Sequence, residues 1–427
     1  MIKSIGVKKL FGRFDYEIEM KSSGITIITG PNGFGKSTIL RIINALSTSN
    51  FAYFFDLDFS ELKIEFDVAQ ATIIKKEKGS LSIDDISLQF LKESHKDYLR
   101  YAQRRPWIQH TPRGYYDRRT EEFYTEDELF YHTIFDDEQY FDAFVGAKER
   151  KLINRIKEKL EQVKQHCGEV RLISDQRLIK RSTGRNEPQI IDVIRELPQR
   201  LKGEIDAVSK EYSRVANTLD STYPKRLFAA KDGITSPEEY QTCLREANEK
   251  FVKLNTYNLV DMSLIDEMNY DPIHSTALKI YFDDFSEKYK VFQSLVSRLD
   301  LFTKIINSRL LFKKIKITSD NGFEVVDDTN PNKILQLSQL SSGEKQEIVL
   351  FYNLIFDIKD KLLLLIDEPE ISLHISWQKK FLDDLMEVSK QTDLQVIVAT
   401  HSPQVISNHL DLQIDLGELY GAQLDNK

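Results

Sequence analysis

The stretch TGPNGFGKST, residues 29–38, contains the residue types that bind a nucleotide phosphate. It matches the pattern G-x-x-x-x-G-K-[ST], in which glycines let backbone N–H groups close around phosphate oxygens. Lys36 can reach the β- and γ-phosphates, and the hydroxyl of Ser37 can ligate Mg²⁺. A predicted strand precedes the stretch and a predicted helix follows it, and the start of that helix adds partial positive charge. A chance glycine-rich turn is the alternative to an ATP-binding loop made of Gly30, Pro31, Asn32, Gly33, Phe34, Gly35, Lys36, Ser37 and Thr38.

A second stretch, LLLLIDEPEISLH at residues 362–374, ends an apolar run in two adjacent carboxylates. A phosphate-binding loop needs a carboxylate at the end of a neighbouring strand to hold the Mg²⁺ shell. Asp367 is therefore predicted to share the metal with Ser37. Glu368, one residue further, points in a different direction and can polarise the attacking water. A solvated acidic turn is the alternative.

Three apolar segments without alternation, residues 25–29, 362–366 and 395–399, predict strands that position these groups. Strands of this kind belong to parallel sheets that are covered on both faces. Helical spacing at residues 36–46 predicts a helix directly after the glycine-rich loop. The expected fold is therefore α/β with a mostly parallel sheet.

The composition limits the class of protein. The 427 residues are 41% hydrophobic, with 59 basic and 67 acidic side chains and a net charge of −8, which indicates a globular chain rather than a wholly basic nucleic-acid protein. Cys167 and Cys243 are far apart, so a disulfide framework and a thiolate zinc site are not expected. No signal peptide and no apolar stretch of about 20 residues is present, so a cytoplasmic protein without a membrane partner is expected.

The pattern of predicted helices and strands changes along the chain and divides it into three predicted segments. Residues 1–83 are predicted to form an N-terminal lobe with the phosphate loop and an antiparallel β-subdomain. Residues 84–312 are predicted to form a large, mostly helical insertion, with a strand near 169–180 that returns to the main sheet. Residues 313–427 are predicted to form a C-terminal lobe.

Two further motifs narrow the family. LSSGE at residues 340–344 precedes a predicted helix, and THS at residues 400–402 follows the strand VIVA. In this order the motifs resemble those of the ABC-type ATPases. The resemblance implies that His401 is a switch histidine acting with Glu368, although a buried structural histidine is the alternative. It also implies that residues 370–374 form the D-loop, and that ATP held by the opposite protomer is bound in trans by Ser341, Ser342, Gly343 and Glu344.

The sequence departs from the transporter-type pattern at several positions. Ser342 and Glu344 stand where the signature LSGGQ has glycine and glutamine, and the D-loop reads SLH rather than SALD. Gln70 lies within a strand pattern and Gln89 lies too far into the insertion to serve as the Q-loop residue. The aromatic run at residues 50–55 is the candidate for that structural position.

The motifs DEPEISLH, LSSGE and ATHSPQ resemble the RecF/SMC/OLD-related AAA ATPases of bacteria, a group often found in anti-phage systems. The middle of the chain has no CxxC hook and no helix pair of SMC length, and only 26 residues follow His401, so no Toprim nuclease is expected. The chain is therefore similar to compact anti-phage defence ATPases of the PARIS AriA-like or Septu PtuA-like type. This resemblance implies ATP and Mg²⁺ as cofactors and a homo-oligomer built on ATP-sandwich dimers. It also implies a separate effector nuclease as partner, with DNA or a phage protein as a possible trigger.

Two other functions remain open from the sequence. A RecF-like DNA-repair clamp would bind duplex DNA directly, and a transporter ATPase subunit is disfavoured by the missing Q-loop residue and the large insertion. Residues 98–120 interleave arginines with tyrosines and Trp107, which suits a structural arm, a protein interface or a nucleic-acid contact. Arg177, at the end of a predicted strand, could approach the nucleotide or form a surface salt bridge.

Overall fold

The computed structural model describes the chain except for a set of segments. These are residues 68–70, 78, 85, 90–104, 112–113, 119–121, 125, 127–128, 130–146, 174–178, 184–187, 261–263, 267–268, 358–360, 372–374, 391–393 and 426–427. The chain forms two compact units: one is Met1–Ile190 with Ile358–Lys427, and the other is Ile191–Asp357. The predicted division into three segments at residues 83 and 312 stays a prediction. The two compact units divide the chain after residues 190 and 357.

A five-stranded parallel sheet forms the centre of the first unit. Its strands are β3 (Ile25–Thr29), β11 (Glu169–Ile173), β17 (Leu362–Asp367), β18 (Leu394–Ala399) and β19 (Gln413–Asp415). They lie in the order β11–β17–β18–β3–β19, and each neighbouring pair is parallel. All residues of β3 and β18 are buried, because both faces of their apolar runs are covered. The predicted α/β fold with a parallel sheet is confirmed, and β11 lies within the stretch that was predicted to join it.

An antiparallel sheet of six strands completes the framework of the N-terminal region. Its strands are β1 (Ile2–Leu10), β2 (Phe14–Glu19), β4 (Glu61–Phe66), β5 (Thr72–Glu77), β6 (Ser80–Ile83) and β7 (Ile86–Ser87). They lie in the order β2–β1–β4–β5–β6–β7. Burial alternates along β4, because successive side chains of a strand point to opposite faces. The predicted antiparallel N-terminal β-subdomain is therefore present.

The helices of the first unit are mostly short. They are α1 (Lys36–Ser47), α2 (Phe51–Asp56), α3 (Ala147–Cys167), α8 (Ile375–Gln378), α9 (Phe381–Ser389), α10 (Pro403–Ile406) and α11 (Leu416–Asp425). α1 buries Ile39, Leu40 and Ile43 on one face, as its apolar spacing predicts. α8 and α9 are two separate helices rather than one continuous helix. The chain turns between α8 and α9, where the N–H of Lys380 bonds to the carbonyl of Trp377 at 3.1 Å.

The predicted, mostly helical insertion at residues 84–312 contains strands over residues 108–111, 114–117 and 122–124. Three strands form a small antiparallel sheet there: β8 (Ile108–Thr111), β9 (Gly114–Asp117) and β10 (Glu122–Tyr124). Tyr116 lies opposite Gln109 on one side and Phe123 on the other. Large aromatic side chains fit a pleated surface well, and the charged residues nearby hid this strand signal. β12 (Ile179–Thr183) and β13 (Pro188–Asp192) form a further two-stranded sheet.

Long helices dominate the second unit. α4 (Leu197–Ala229), α5 (Pro237–Thr256) and α6 (Ser275–Asn307) are followed by a three-stranded antiparallel sheet and then by α7 (Ser342–Phe356). The strands are β14 (Lys313–Thr318), β15 (Gly322–Asp327) and β16 (Ile334–Leu335). Phe302 of α6 packs against Tyr352 and Phe356 of α7 at ring-centroid distances of 6.1 and 5.5 Å. These aromatic contacts fix α7, which begins with the LSSGE motif, onto the long helix α6.

Gly322 shows why the turn between β14 and β15 requires glycine. Its φ is +75°, and a Cβ atom there would lie 1.9 Å from the carbonyl oxygen of Pro198 in α4. No other residue can accept both the left-handed backbone and the contact. Among the described helices of both units, none combines the length and the apolar composition needed to cross a membrane.

Candidate nucleotide-binding site

The glycine-rich loop connects the end of β3 directly to the start of α1. Gly30, Gly33 and Gly35 have φ values of +136°, +85° and +91°, a region that side chains disfavour. A Cβ atom on Gly35 would lie 2.8 Å from Cδ2 of Leu10, whereas one on Gly33 would meet open space. The loop therefore depends on glycine for its backbone and, at Gly35, also for its packing.

The first turn of α1 is open at its N-terminus. Its N-cap is Gly35, no side chain caps the helix, and the first turn contains no acidic residue. The N–H groups at a helix start have no partner within the helix, and together with the helix dipole they attract anions. This helix start is therefore suited to a phosphate group.

Lys36 lies over the loop. Its side chain is buried, at 5% exposure, and Nζ donates to the carbonyls of Gly30 and Pro31 at 2.9 and 3.4 Å. A buried ammonium needs such partners, because burial of a charge without them is costly. The lysine is held where a phosphate on the loop would contact it.

Phe34 anchors the loop to the rest of the unit. Its ring lies 5.0 Å from that of Phe14 and 6.0 Å from that of Tyr420 in α11. The hydroxyl of Tyr16 donates to the carbonyl of Phe34 at 3.0 Å, and burial raises the pKa of Tyr16 well above its usual range. Pro31 and Asn32 are exposed at the rim of the loop, and Thr38 is half-buried in the first turn of α1.

The two stretches singled out in the sequence meet at one contact. Ser37 Oγ donates to Asp367 Oδ1 at 2.7 Å, although 330 residues separate them along the chain. Ser37 lies in the first turn of α1, and Asp367 ends β17, two strands from β3 in the sheet. Hydroxyl and carboxylate oxygens are the ligands that Mg²⁺ prefers. The proximity is confirmed, and the role of these two residues as metal ligands stays a prediction.

Glu368 has an unusual backbone. Its φ is +47°, which is uncommon for a residue with a side chain, and its N–H donates to the carbonyl of Ala399 at 2.9 Å. This conformation turns the chain away from the strand directly after Asp367. Burial raises the pKa of the Glu368 carboxyl, the nearby Glu370 carboxylate raises it further, and His401 acts in the opposite direction.

His401 joins Glu368 across the ends of β17 and β18. Its Nδ1 lies 2.5 Å from Glu368 Oε2. The histidine side chain is 56% exposed, so the alternative of a buried structural histidine does not describe it. The structure thus brings together Ser37, Asp367, Glu368 and His401 at the carboxyl ends of the parallel strands.

Glu370 is a residue that the sequence reasoning did not single out. It is buried, and one of its carboxylate oxygens accepts hydrogen bonds from the segment 400–402. The available signal was its position in the run DEPE, two residues after Glu368. Nothing in the sequence alone connects it with residues 400–402, because that contact requires β17 and β18 to be neighbours.

The LSSGE motif lies in the second unit, at the start of α7. Ser341 is the N-cap: its Oγ accepts from the N–H of Glu344 at 3.3 Å, while Glu344 Oε2 accepts from the N–H and Oγ of Ser341 at 2.8 and 3.0 Å. Lys313 Nζ donates to both Glu344 oxygens at 2.9 Å. Ser341 and Ser342 are exposed, Gly343 is half-buried and Glu344 is buried. Binding of nucleotide in trans by these residues stays a prediction.

Some predictions fall outside the described residues. These are residues 372–374 of the predicted D-loop, Arg177, and a large part of the stretch 98–120. Within that stretch, the buried Arg105 lies over the ring of Trp107 at 5.3 Å, and Arg118 donates to Gln109 at 3.2 Å. These contacts join residues of the small sheet and its flank to one another.

The residues of the first unit fit a magnesium–nucleotide complex. The uncapped start of α1 offers N–H donors, Lys36 offers a buried cation, and Ser37 and Asp367 offer neighbouring oxygens. Glu368 and His401 offer a coupled acid and base beside them. The arrangement can bind a phosphate chain and orient a water molecule next to it.

Comparison with known proteins gives a family match over most of the chain. A family model described as "AAA ATPase domain" (AAA_15) matches residues 1–406.

The curated relatives match a short segment only. The glutamate transport ATP-binding protein GluA of Corynebacterium glutamicum is 44% identical over 52 residues, which are 11% of this chain and 22% of that protein. Its counterpart in Corynebacterium efficiens is 42% identical over 52 residues, with the same shares. The chain thus spans about a fifth of the length of these relatives.

Among solved structures, SMC head domains are similar at low identity. The Pyrococcus furiosus Smc head domain, crystallised with an extended coiled coil and the C-terminal domain of ScpA, is 14% identical. The match covers 95% of this chain and 90% of that one, with a TM-score of 0.39. The Thermotoga maritima SMC head domain is 14% identical, with shares of 95% and 92% and a TM-score of 0.35.

Proposed function

The chain belongs to the AAA ATPase domain family, and from this membership and the geometry of the site we propose that it binds ATP with Mg²⁺ and hydrolyses it. The observation that carries the proposal is the 2.7 Å contact between Ser37 and Asp367 beside the pair formed by Glu368 and His401. A chance glycine-rich turn would have no reason to meet a strand-end carboxylate from the far end of the chain.

Each residue of the site has a distinct role in this proposal. The start of α1 and Lys36 bind and orient the phosphates. Ser37 and Asp367 would hold the metal ion, which would supply positive charge to the phosphate oxygens. Glu368 orients the attacking water and accepts its proton. His401 keeps Glu368 in place and favours its charged form, which burial and Glu370 disfavour.

We propose further that two copies of the chain enclose two nucleotides. Residues 341–344 of each copy would then complete the site of the other, as the resemblance to ABC-type ATPases implies. The exposure of Ser341 and Ser342 at a helix start is compatible with this role. The closed dimer is the state that a partner would recognise.

The partner that we propose is a separate effector, a nuclease, in bacterial defence against phage, with DNA or a phage protein as the trigger. The support is the resemblance of DEPEISLH, LSSGE and ATHSPQ to compact defence ATPases. In this role ATP binding assembles the complex and hydrolysis releases or licenses the effector.

The test compares Glu368→Gln with Lys36→Ala in the full chain. Glu368→Gln is expected to lower the rate of hydrolysis by about 100-fold or more, because the water loses its base. It should still bind ATP and should accumulate an ATP-dependent dimer, measured by light scattering. Lys36→Ala is expected to lose ATP binding and the dimer together.

Hydrolysis at the wild-type rate in Glu368→Gln would remove the catalytic assignment. An unchanged oligomeric state in Glu368→Gln with ATP would remove the sandwich dimer. Binding of duplex DNA by the purified chain alone, with steep salt dependence, would favour the DNA clamp over the effector switch.

A further inference from the structure

Glu370 links the end of β17 to the segment that carries His401. Its Oε1 accepts hydrogen bonds from Thr400 Oγ1 at 2.6 Å, from the N–H of His401 at 3.0 Å and from the N–H of Ser402 at 3.1 Å. The residue is 8% exposed. A buried carboxylate is tolerated only where donors compensate for the lost water, and all three of these donors lie in one three-residue segment.

The two carboxylate oxygens of Glu370 differ in their hydrogen bonding. Glu370 Oε2 is buried and has no hydrogen-bond partner among the described residues. Glu370 concentrates its bonds on residues 400–402.

Gln378 of α8 forms a second link between the same two segments. Its Nε2 donates to the backbone carbonyl of Glu370 at 3.4 Å, and its Oε1 accepts from Ser402 Oγ at 2.8 Å. Ser402 is also the N-cap of α10, where its Oγ accepts from the N–H of Gln404. The backbone on both sides of His401 is therefore fixed relative to Glu370.

The imidazole of His401 is placed between two carboxylates. Its Nδ1 lies 2.5 Å from Glu368 Oε2 and 3.3 Å from Glu370 Oε1. When both carboxylates are charged they only accept hydrogen bonds, and Nδ1 then carries the proton.

We propose that Glu370 is a positioning residue for ATP hydrolysis, which holds His401 and its Nδ1–H against Glu368. The inference rests on the proposed hydrolysis of ATP by Glu368 and His401. Glu370 itself contacts neither the nucleotide loop nor Asp367 in the described hydrogen bonds. Its hydrogen bonds act on the reaction through His401, and its charge also raises the pKa of Glu368 directly.

The test is a double-mutant cycle between Glu370→Ala and His401→Ala in the full chain, with kcat, KM and ATP affinity measured for each variant. Glu370→Ala is expected to lower kcat at least tenfold and to leave the affinity for ATP within about twofold. In the His401→Ala background the same change is expected to have little further effect, because residues that act through one another are not additive.

Two conservative variants sharpen the result. Glu370→Gln keeps an oxygen that can accept all three bonds, so kcat is expected to recover to within about threefold of wild type. Thr400→Val removes the 2.6 Å bond to Glu370 and the 3.0 Å bond that Thr400 Oγ1 accepts from the N–H of Ser402, and it keeps the shape of the side chain. It is expected to lower kcat about threefold to tenfold. If Glu370→Ala does not fold, Thr400→Val replaces it in the cycle.

Gln395→Ala is the matched structural control. Gln395 is buried at the opposite end of β18 and makes two hydrogen bonds, with the N–H and the carbonyl of Ile2. It should lower the melting temperature and leave kcat unchanged. A loss of kcat in Gln395→Ala as large as in Glu370→Ala would reduce the role of Glu370 to stability and overturn the inference.

Two other outcomes would overturn the positioning role of Glu370 and leave the proposed function intact. One is wild-type kcat in Glu370→Ala when His401→Ala is impaired. The other is an equal loss from Glu370→Ala in both backgrounds. Full activity in both Glu368→Gln and His401→Ala would instead overturn the proposed function itself.

Discussion

Two helices begin with motifs implicated in phosphate binding, and they begin in opposite ways. α1 starts at a glycine in the left-handed conformation, with no capping side chain and no acidic residue in its first turn. α7 starts at Ser341 with a complete capping box, and Glu344 occupies its first turn. The first helix start leaves its N–H donors to a ligand, whereas the second satisfies the N–H groups of Ser341 and Glu344 with its own side chains.

The difference indicates how each helix start would meet a phosphate. The start of α1 is ready for an anion as it stands. At α7, the Glu344 carboxylate and the incoming phosphate would compete for Ser341, so binding in trans requires the capping box to open. A capping box contributes only about 1 kcal/mol, which a charged ligand can replace.

The bodies of the two helices differ as well. α1 is held by apolar side chains, whereas α7 buries Glu347 against Arg309, with side-chain exposures of 2% and 1%. The guanidinium of Arg309 also lies 4.4 Å from the ring centre of Phe351. The helix that carries the LSSGE motif thus includes a buried ion pair in addition to its aromatic contacts with α6.

The largest effect, on stability, is expected from removing the ion pair between Glu347 and Arg309. Glu347→Ala leaves the Arg309 charge buried, and the free energy of unfolding of the second unit should fall by about 3–5 kcal/mol. Chemical denaturation followed by circular dichroism measures the change. Glu211→Ala, which removes a solvent-exposed partner of Arg214, is the control and should leave stability unchanged. Equal stability of Glu347→Ala and wild type would show that the pair does not hold α7.

An intermediate effect, on ATP affinity, is expected from adding a side chain at the start of α1. Gly35→Ala combines a left-handed backbone with a Cβ atom 2.8 Å from Leu10, so ATP affinity should fall at least tenfold as the loop shifts. Gly33→Ala has a similar φ but open space around it, and it should lose about 1 kcal/mol of stability from the backbone alone. Calorimetric titration with a non-hydrolysable ATP analogue measures both affinities. Equal affinities would contradict the packing argument.

The smallest effect, on stability, is expected from removing the charge of Glu344 at the start of α7. Burial opposes ionisation of Glu344, but hydrogen bonds from Lys313 and Ser341 prevail and lower the pKa of its carboxyl. A lowered pKa contributes stability above the ordinary pKa of a glutamate, and the contribution is lost as the pH falls through the lowered value. Glu344→Gln keeps the capping box and loses the ion pair.

Glu344→Gln should therefore be about 0.5–1 kcal/mol less stable than wild type at neutral pH, and the difference should disappear in acid. Denaturation curves at several pH values measure it. Lys313→Met removes the other partner and should show the same pH dependence. A difference that is constant with pH would show that the charge on Glu344 contributes nothing.

The sequence predicted the parts of the fold that depend on local pattern. Uninterrupted apolar runs identified β3, β17 and β18, and the loop pattern identified the start of α1. The meeting of Ser37 with Asp367 followed from one rule, that the carboxyl ends of parallel strands share an edge of the sheet. Chemistry that is tied to a strand end can therefore be placed from the sequence pattern alone.

The parts that the sequence did not predict depend on tertiary neighbours. The strands β8–β10 lie among charged residues, and their cross-strand aromatic pairs become visible only when the strands are side by side. The turn at Lys380 contains neither glycine nor proline, so no local signal separates α8 from α9. The contacts of Glu370 join two segments that lie about 30 residues apart in sequence.

The order in which the parallel sheet is assembled has a consequence during synthesis. Its strands come from residues 25–29, 169–173, 362–367, 394–399 and 413–415, and the central pair β18–β3 joins early to late segments. At roughly 5–20 residues per second, a ribosome needs on the order of tens of seconds to pass from Ser37 to Asp367. Until then a nascent chain carries the phosphate loop without its carboxylate. A chain whose synthesis has not passed Asp367 therefore lacks the carboxylate that the proposed hydrolysis of ATP requires.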